Sequence, residues 1–329
     1  MAYEFSVAMC TFNGARFIDE QLASIAAQTR LPDELIICDD CSTDQTVEIV
    51  ERFARNAPFP VRLHVNPTNI GTTGNFGRAI GFCTGDLIAL CDQDDVWLPT
   101  KLARLEKVFE DSPAIGLVFT DAELVDEEMR PTGLSLWEKL GVGPDSRRQL
   151  SSERAIDELI TGSTVTGATA AFRSRFKSLT LPIPGDLLVI HDAWIAMLIS
   201  AVARVSPLSE RLVKYRQHAT QQIGALERRS APRGLLSQSP IDSLRRDDFY
   251  LEAVRTMKAV RQRLVEHSND FELGGAVRLL EERIDHLDAR VGLPQSRIMR
   301  APRVLRELIT GRYHRYSNGA YSAMKDLIA

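Results

Sequence analysis

The run Leu87-Ile88-Ala89-Leu90-Cys91-Asp92-Gln93-Asp94-Asp95-Val96-Trp97 passes from an apolar segment to three carboxylates within four positions. An unbroken apolar run of this length reads as a strand buried on both faces, the habit of a parallel sheet. Carboxylates crowded at the carboxyl end of a strand repel one another. Hard oxygen donors of this kind suit magnesium or manganese. Open α/β sheets bind ligands at that same end. The run therefore predicts a metal-assisted site for a phosphorylated ligand. The competing reading is a polar loop in which Asp95 caps a helix from about Leu98.

Working outward, Phe5 to Met9, Leu35 to Cys38, Val61 to Val65 and Ile115 to Thr120 read as further strands. Gln21 to Gln28, Gln45 to Arg55, Gly74 to Phe82 and Lys101 to Phe109 carry helical spacing between them. This alternation predicts a mostly parallel sheet flanked by helices, with right-handed crossovers. Arg130 to Ser152 reads as a loop region over the site, and Ile190 to Val202 as a helix. Residues 227–245 are rich in Arg, Ser and Pro and read as a linker between a catalytic domain, 1–226, and a helical region, 246–329. In that region Val254, Met257, Val260 and Leu264 form one apolar stripe; Val277, Leu280, Ile284 and Leu287 form another.

With 329 residues and 44% hydrophobic content, the chain has enough material for a large core. A net charge of −4 argues against general nucleic-acid binding. There is no secretory-signal pattern and no apolar run long enough to span a membrane, so a cytoplasmic location is expected. Five cysteines without a signal fit reduced thiols, and Cys38 and Cys41 lack the second ligand pair that a zinc site needs.

Other strand ends carry candidate ligand groups. Thr11-Phe12-Asn13-Gly14 offers an aromatic ring for a nucleobase. Asp39-Asp40-Cys41-Ser42-Thr43-Asp44 offers carboxylates for a base or ribose, with Asp44 better suited to capping the next helix. Asn69-Ile70-Gly71 precedes a helix opened by Asn75, and Gly71 allows close backbone approach to a ligand.

In this order, these motifs resemble the inverting family 2 glycosyltransferases of the GT-A fold. Gly167-Ala168-Thr169, His191-Asp192-Ala193-Trp194 and Tyr215-Arg216-Gln217-His218 extend the likeness over about residues 5–224, toward the rhamnosyltransferase-like branch that builds bacterial surface polysaccharides. The resemblance implies that Thr11, Phe12, Asn13, Asp39, Asp40, Asn69, Gly71, Asn75, Asp92, Gln93, Arg216 and His218 bind the nucleotide sugar. It implies that Asp92, Asp94 and His218 hold a divalent metal, Mg2+ or Mn2+, and that Asp192 is the catalytic base. Helix capping is the other reading of Asp192, and Asp121 and Asp186 are weaker candidates for the base. Cys41 stands where the family usually has Gly, and Thr220 and Gln221 where it often has two Asn.

The implied activity is transfer of rhamnose from a dTDP-sugar to a saccharide or lipid-linked saccharide. The alternatives are a UDP-hexose donor and a catalytically silent nucleotide-sugar-binding scaffold. Near the C-terminus, Arg297, Arg300, Arg303, Arg306, Arg312, Arg315 and Lys325 face only Glu307 and Asp326 as opposite charges. With interleaved apolar residues, that segment reads either as a peripheral contact with an anionic inner membrane face or as a packed helix with a solvated basic side.

Overall fold

Six strands running in one direction set the frame of a nine-stranded mixed sheet, so the expected mostly parallel GT-A-like arrangement holds. The structure, a computed structural model, describes residues 3–162, 164–219, 221 and 246–328. The expected linker, residues 227–245, and Thr220 lie outside the described residues.

The strands are β1 (Phe5–Thr11), β2 (Glu34–Asp39), β3 (Val61–Val65), β4 (Leu87–Cys91), β5 (Val96–Trp97), β6 (Ile115–Val125), β7 (Pro131–Ser135), β8 (Ala170–Arg173) and β9 (Arg204–Arg216). They lie in the order β3-β2-β1-β4-β8-β6-β9-β5, with β7 on β6. Every residue of β1, β2 and β4 is buried, which accounts for their apolar runs. β3, β2, β1 and β4 pair in parallel, with Thr11 opposite Asp39 and Met9 opposite Cys91. This register brings the Thr11, Asp39 and Asp92 motifs to one edge of the sheet. β8 runs antiparallel between β4 and β6, and β9 runs parallel to β6.

The first helices are α1 (Ile18–Ala26), α2 (Thr46–Ala54), α3 (Gly71–Phe82) and α4 (Lys101–Asp111). α3 starts three residues before its predicted beginning, so Asn75 lies inside it rather than opening it. Asp95 does not cap α4, which Thr100 precedes. The expected loop over 130–152 is also corrected: it holds β7, α5 (Leu136–Leu140) and α6 (Pro144–Leu150). A capping box between Ser135 and Glu138 opens α5, and Pro144 stands in the first turn of α6.

α7 (Ala155–Leu159) and α8 (Lys177–Thr180) lead to α9 (His191–Ser200), which is buried along its whole length. The C-terminal region is helical as expected, with α10 (Arg246–Glu266), α11 (Ala276–Val291), α12 (Arg297–Ile309), α13 (Arg312–Tyr316) and α14 (Ala320–Ile328). The stripe of Val254, Met257, Val260 and Leu264 and most of the second stripe join the hydrophobic core of the sheet region. Arg263 on α10 donates to the Leu179 and Pro182 carbonyls, fastening that helix to the segment before α9. Among the described residues no helix is long and apolar enough to cross a membrane.

Candidate active site

A cleft of about 590 Å³ opens where β1, β4 and α9 converge. Its lining includes Thr11, Phe12, Asn13, Asp40, Asn75, Asp92, Gln93, Asp94, Asp192 and His218, ten of the residues singled out from sequence. Four others, Asp39, Asn69, Gly71 and Arg216, do not line it.

The first wall is built by reciprocal bonds between loops. Phe12 N–H donates to Gln93 Oε1 at 2.9 Å, and Gln93 Nε2 donates back to Phe12 O at 3.0 Å. Thr43 N–H donates to Asn13 Oδ1, and Asn13 N–H donates to Ser42 Oγ. Asp39 is fully buried; it accepts from Thr11 Oγ1 at 2.8 Å and from Ser42 N–H at 2.8 Å. The Asp40 carboxylate accepts from the Ile70 and Gly71 amides, each at 2.8 Å, and from Asn66 Nδ2. Both carboxylates therefore hold loops in place.

Gly71 has φ +78°, so its glycine answers a backbone requirement, and Asn75 ties Cys38 O to Asn66 from inside α3. Cys41 adopts φ +67°, the left-handed conformation that favours glycine.

The three carboxylates after β4 have separate fates. Asp92 faces the cleft, and its pKa is pushed up to about 8, first by burial and then by the charges of Asp94 and Asp192. Asp94 lies 2.8 Å from His218 Nε2. Asp95 points inward and accepts the Arg216 amide at 3.0 Å; burial, then Asp94 and Asp92, raise its pKa well above the usual carboxylate range.

Arg216, expected among the nucleotide-binding residues, does not line the cleft. The residue is 1% exposed, and its guanidinium is occupied by the Asp94 and Glu127 carbonyls, the Glu20 carboxylate and the face of Phe17. It braces the Asp94 turn from behind.

Asp192 lies in the first turn of α9, while the position before that helix is Ile190 and makes no side-chain cap. Capping therefore does not explain Asp192. Its Oδ2 accepts the Gly167 amide at 2.8 Å and its Oδ1 the Ala193 amide at 2.6 Å. Burial raises its pKa to about 6, against the lowering by those amides. Asp121 is occupied by the Ala122 and Trp137 amides, and Asp186 meets Arg255 at the surface; neither lines the cleft.

Sequence reasoning missed three neighbours. His191 stacks on Phe76 at 3.8 Å, and burial lowers its pKa to about 3, so it is neutral near pH 7. Lys101 is fully buried over the Trp97 ring at 3.5 Å and donates to Ala168 O at 2.7 Å, next to the Gly167 amide that holds Asp192. Burial lowers its pKa to about 7. Arg16 lines the cleft mouth and pairs with Glu127 at 2.7 Å. His191 was visible as a polar residue in an apolar run, whereas Lys101 gives no sequence signal. Gln221, one of the two positions departing from the family pattern, also lines the cleft.

Among the described residues no three His, Cys, Asp or Glu side chains converge into a ready-made cation cage. Asp92 and Asp94 nevertheless fit a magnesium-type ion, which commonly takes one or two carboxylates and completes its shell with water and substrate phosphates. Burial raises the Asp92 pKa most, and the repulsion from Asp94 and Asp192 that adds to it is what such an ion would relieve.

Comparison with known proteins gives a consistent result. The family model for glycosyl transferase family 2 matches residues 6–178. An uncharacterized glycosyltransferase of Nostoc sp. is 28% identical over 219 residues, covering 65% of this chain and 65% of that protein. A dTDP-rhamnosyl transferase of Shigella flexneri is 37% identical over 98 residues, covering 29% of this chain and 34% of that protein. The chain thus spans less than two thirds of either relative. The crystal structure of Staphylococcus aureus TarS 1–349 in complex with UDP-GlcNAc aligns with TM-score 0.56 and 20% identity, covering 98% of this chain and 90% of that one; the likeness is one of fold.

Proposed function

Starting from a chain that belongs to glycosyl transferase family 2, we propose that it is a metal-dependent inverting transferase with Asp192 as its base. The donor in this reading is a nucleoside-diphospho-sugar, with dTDP-rhamnose the first choice. The acceptor is a hydroxyl of a saccharide or lipid-linked saccharide of the cell surface. One observation carries the reading: the Asp92 and Asp94 carboxylates and Asp192 line the same cleft, where burial pushes the Asp192 pKa up to about 6.

An acceptor hydroxyl is a poor nucleophile, so its proton must leave as it attacks. Near pH 7 Asp192 is mostly ionised yet more basic than an ordinary carboxylate. The Gly167 and Ala193 amides fix its orientation, and the α9 N-terminus favours its charge. Lys101 holds the Ala168 carbonyl and so steadies the Gly167 amide. Phe12, held by Gln93, and the Thr11–Asn13 loop offer a surface for the nucleotide. Arg216 and His218 fix Asp94 from two sides. Asp92 and Asp94 would hold a divalent cation, which would supply Lewis-acid charge for a diphosphate leaving group. One displacement inverts the anomeric centre, and no covalent nucleophile is needed.

The test is incubation with a panel of labelled nucleotide sugars, Mn2+ or Mg2+, and saccharide acceptors. Turnover that depends on dTDP-rhamnose and metal is the expected result. Turnover with a UDP-hexose alone replaces the donor. Affinity for nucleotide sugars without turnover on any acceptor would assign the chain to binding rather than transfer.

A further inference from the structure

Two of the last helices, α12 and α14, each leave an apolar stripe open. On α12, Ile298, Leu305 and Ile309 recur at helical spacing and are 86%, 55% and 77% exposed. On α14, Tyr321, Met324 and Ile328 do the same at 54%, 51% and 57%. These helices are folded and anchored. Their other sides hold Val304 and Ala323, which form a small core with Tyr313. Arg297 donates to Ile328 O, joining the start of α12 to the end of α14. Large apolar side chains gathered this way mark an interaction surface.

Charge identifies the partner. The segment from Arg297 has two acids, Glu307 and Asp326, and both are buried and bonded inward, to His286 and Arg312 and to Arg290 and Tyr313. Several cations are also taken up. Arg300 is buried and donates to Asp326 O, and Arg312 pairs with Asp285 and Glu307. The charges exposed on α12 and α14 are all cationic: Arg297, Arg303, Arg306 and Lys325. A second copy on this face would set cation against cation, whereas anionic headgroups neutralise them.

We propose that α12 and α14 dock the protein on an anionic lipid surface, with these six apolar side chains entering the headgroup–acyl boundary and Arg306 and Lys325 lying among lipid phosphates. The apolar stripes, rather than the basic residues as a group, carry the contact, since Arg300 and Arg312 serve the fold. The proposal is independent of the transfer chemistry, because its readout is binding to lipid.

The experiment is co-sedimentation of the full chain with phosphatidylcholine vesicles, with and without phosphatidylglycerol. Wild type should bind the anionic vesicles about tenfold or more tightly than the neutral ones. The exposed-residue variant Ile298→Ser, Leu305→Ser, Ile309→Ser should lose about tenfold or more of that binding while keeping its circular dichroism and its nucleotide affinity. Arg306→Glu with Lys325→Glu should weaken binding and flatten its salt dependence. Equal binding by wild type and the triple-Ser variant, or no binding by wild type, overturns the proposal. Light scattering that shows a wild-type dimer made monomeric by the same three changes assigns the face to a second copy and overturns it as well.

Discussion

His218 Nε2 lies 2.8 Å from Asp94 Oδ2 across 124 residues of sequence, so the segment after β9 closes on the turn after β4. His218 also packs 4.7 Å from the Phe17 ring. Asp94 is thus both a proposed cation donor and the anchor of that segment. Asp94→Ala should abolish the metal-dependent part of thermal stabilisation by a nucleoside diphosphate. Thermal shift with and without Mn2+ checks this, and full metal-dependent stabilisation in the variant contradicts it.

Asp92 links the site to stability. Its pKa rises from 3.8 to about 8 on folding, so the protonated form is the one the fold favours. The stability it contributes is fully present below the unfolded value and is lost as pH climbs through the folded one. Without metal, Asp92→Asn should therefore melt above wild type at pH 8 to 9, with an advantage that shrinks steadily as pH falls toward the unfolded value of 3.8. Melting curves across this range test the sign. A variant less stable than wild type at pH 9 would show that the Lys101 charge, which pulls the Asp92 pKa down, outweighs burial and the acidic neighbours.

Cys41 occupies a left-handed backbone position at φ +67°. Such a conformation costs an L-residue about 1–2 kcal/mol, and glycine brings an entropy cost of about 0.5–1 kcal/mol. Cys41→Gly should range from neutral to about 1.5 kcal/mol more stable, whereas the β-branched Cys41→Val should lose more than about 1 kcal/mol. Urea unfolding of both variants decides, and a clearly destabilised Gly variant contradicts the strain argument.

Gly14 has no room for a side chain, because a Cβ there would lie 2.1 Å from Gln93 Oε1. Gly14→Ala should displace the Gln93 amide from Phe12 and reduce nucleotide affinity about tenfold or more, at a modest loss of melting temperature. Calorimetric titration with nucleoside diphosphate measures it; unchanged affinity would remove the Phe12 loop from the nucleotide site.

The sheet was legible because β1, β2 and β4 are buried on both sides and spell their position in continuous apolar runs. The segment 130–152 was not, since its elements are short and polar; Ser135 with Glu138 was the local signal passed over. Within the site, carboxylates at strand ends announced themselves, but their division of labour did not. Whether Asp95 faces the cleft or Arg216 depends on a strand that arrives 121 residues later. Arg216 entered the expected set through the resemblance, and its burial behind the Asp94 turn depends on tertiary packing that spacing does not show. Lys101 was hidden for the same reason.

Asp192→Asn is the most direct test. Asn keeps the shape and can still accept the Gly167 amide, but it cannot take a proton near pH 7. A general base is worth roughly 10²–10⁴-fold in rate. The variant should fold, bind donor nucleotide with near-native affinity, and transfer sugar about 10²–10⁴-fold more slowly. Wild-type transfer should rise with pH through about 6, the value to which burial brings Asp192. Transfer rate and nucleotide affinity measured on one preparation settle the assignment: near-normal turnover in the Asn variant would contradict Asp192 as the base.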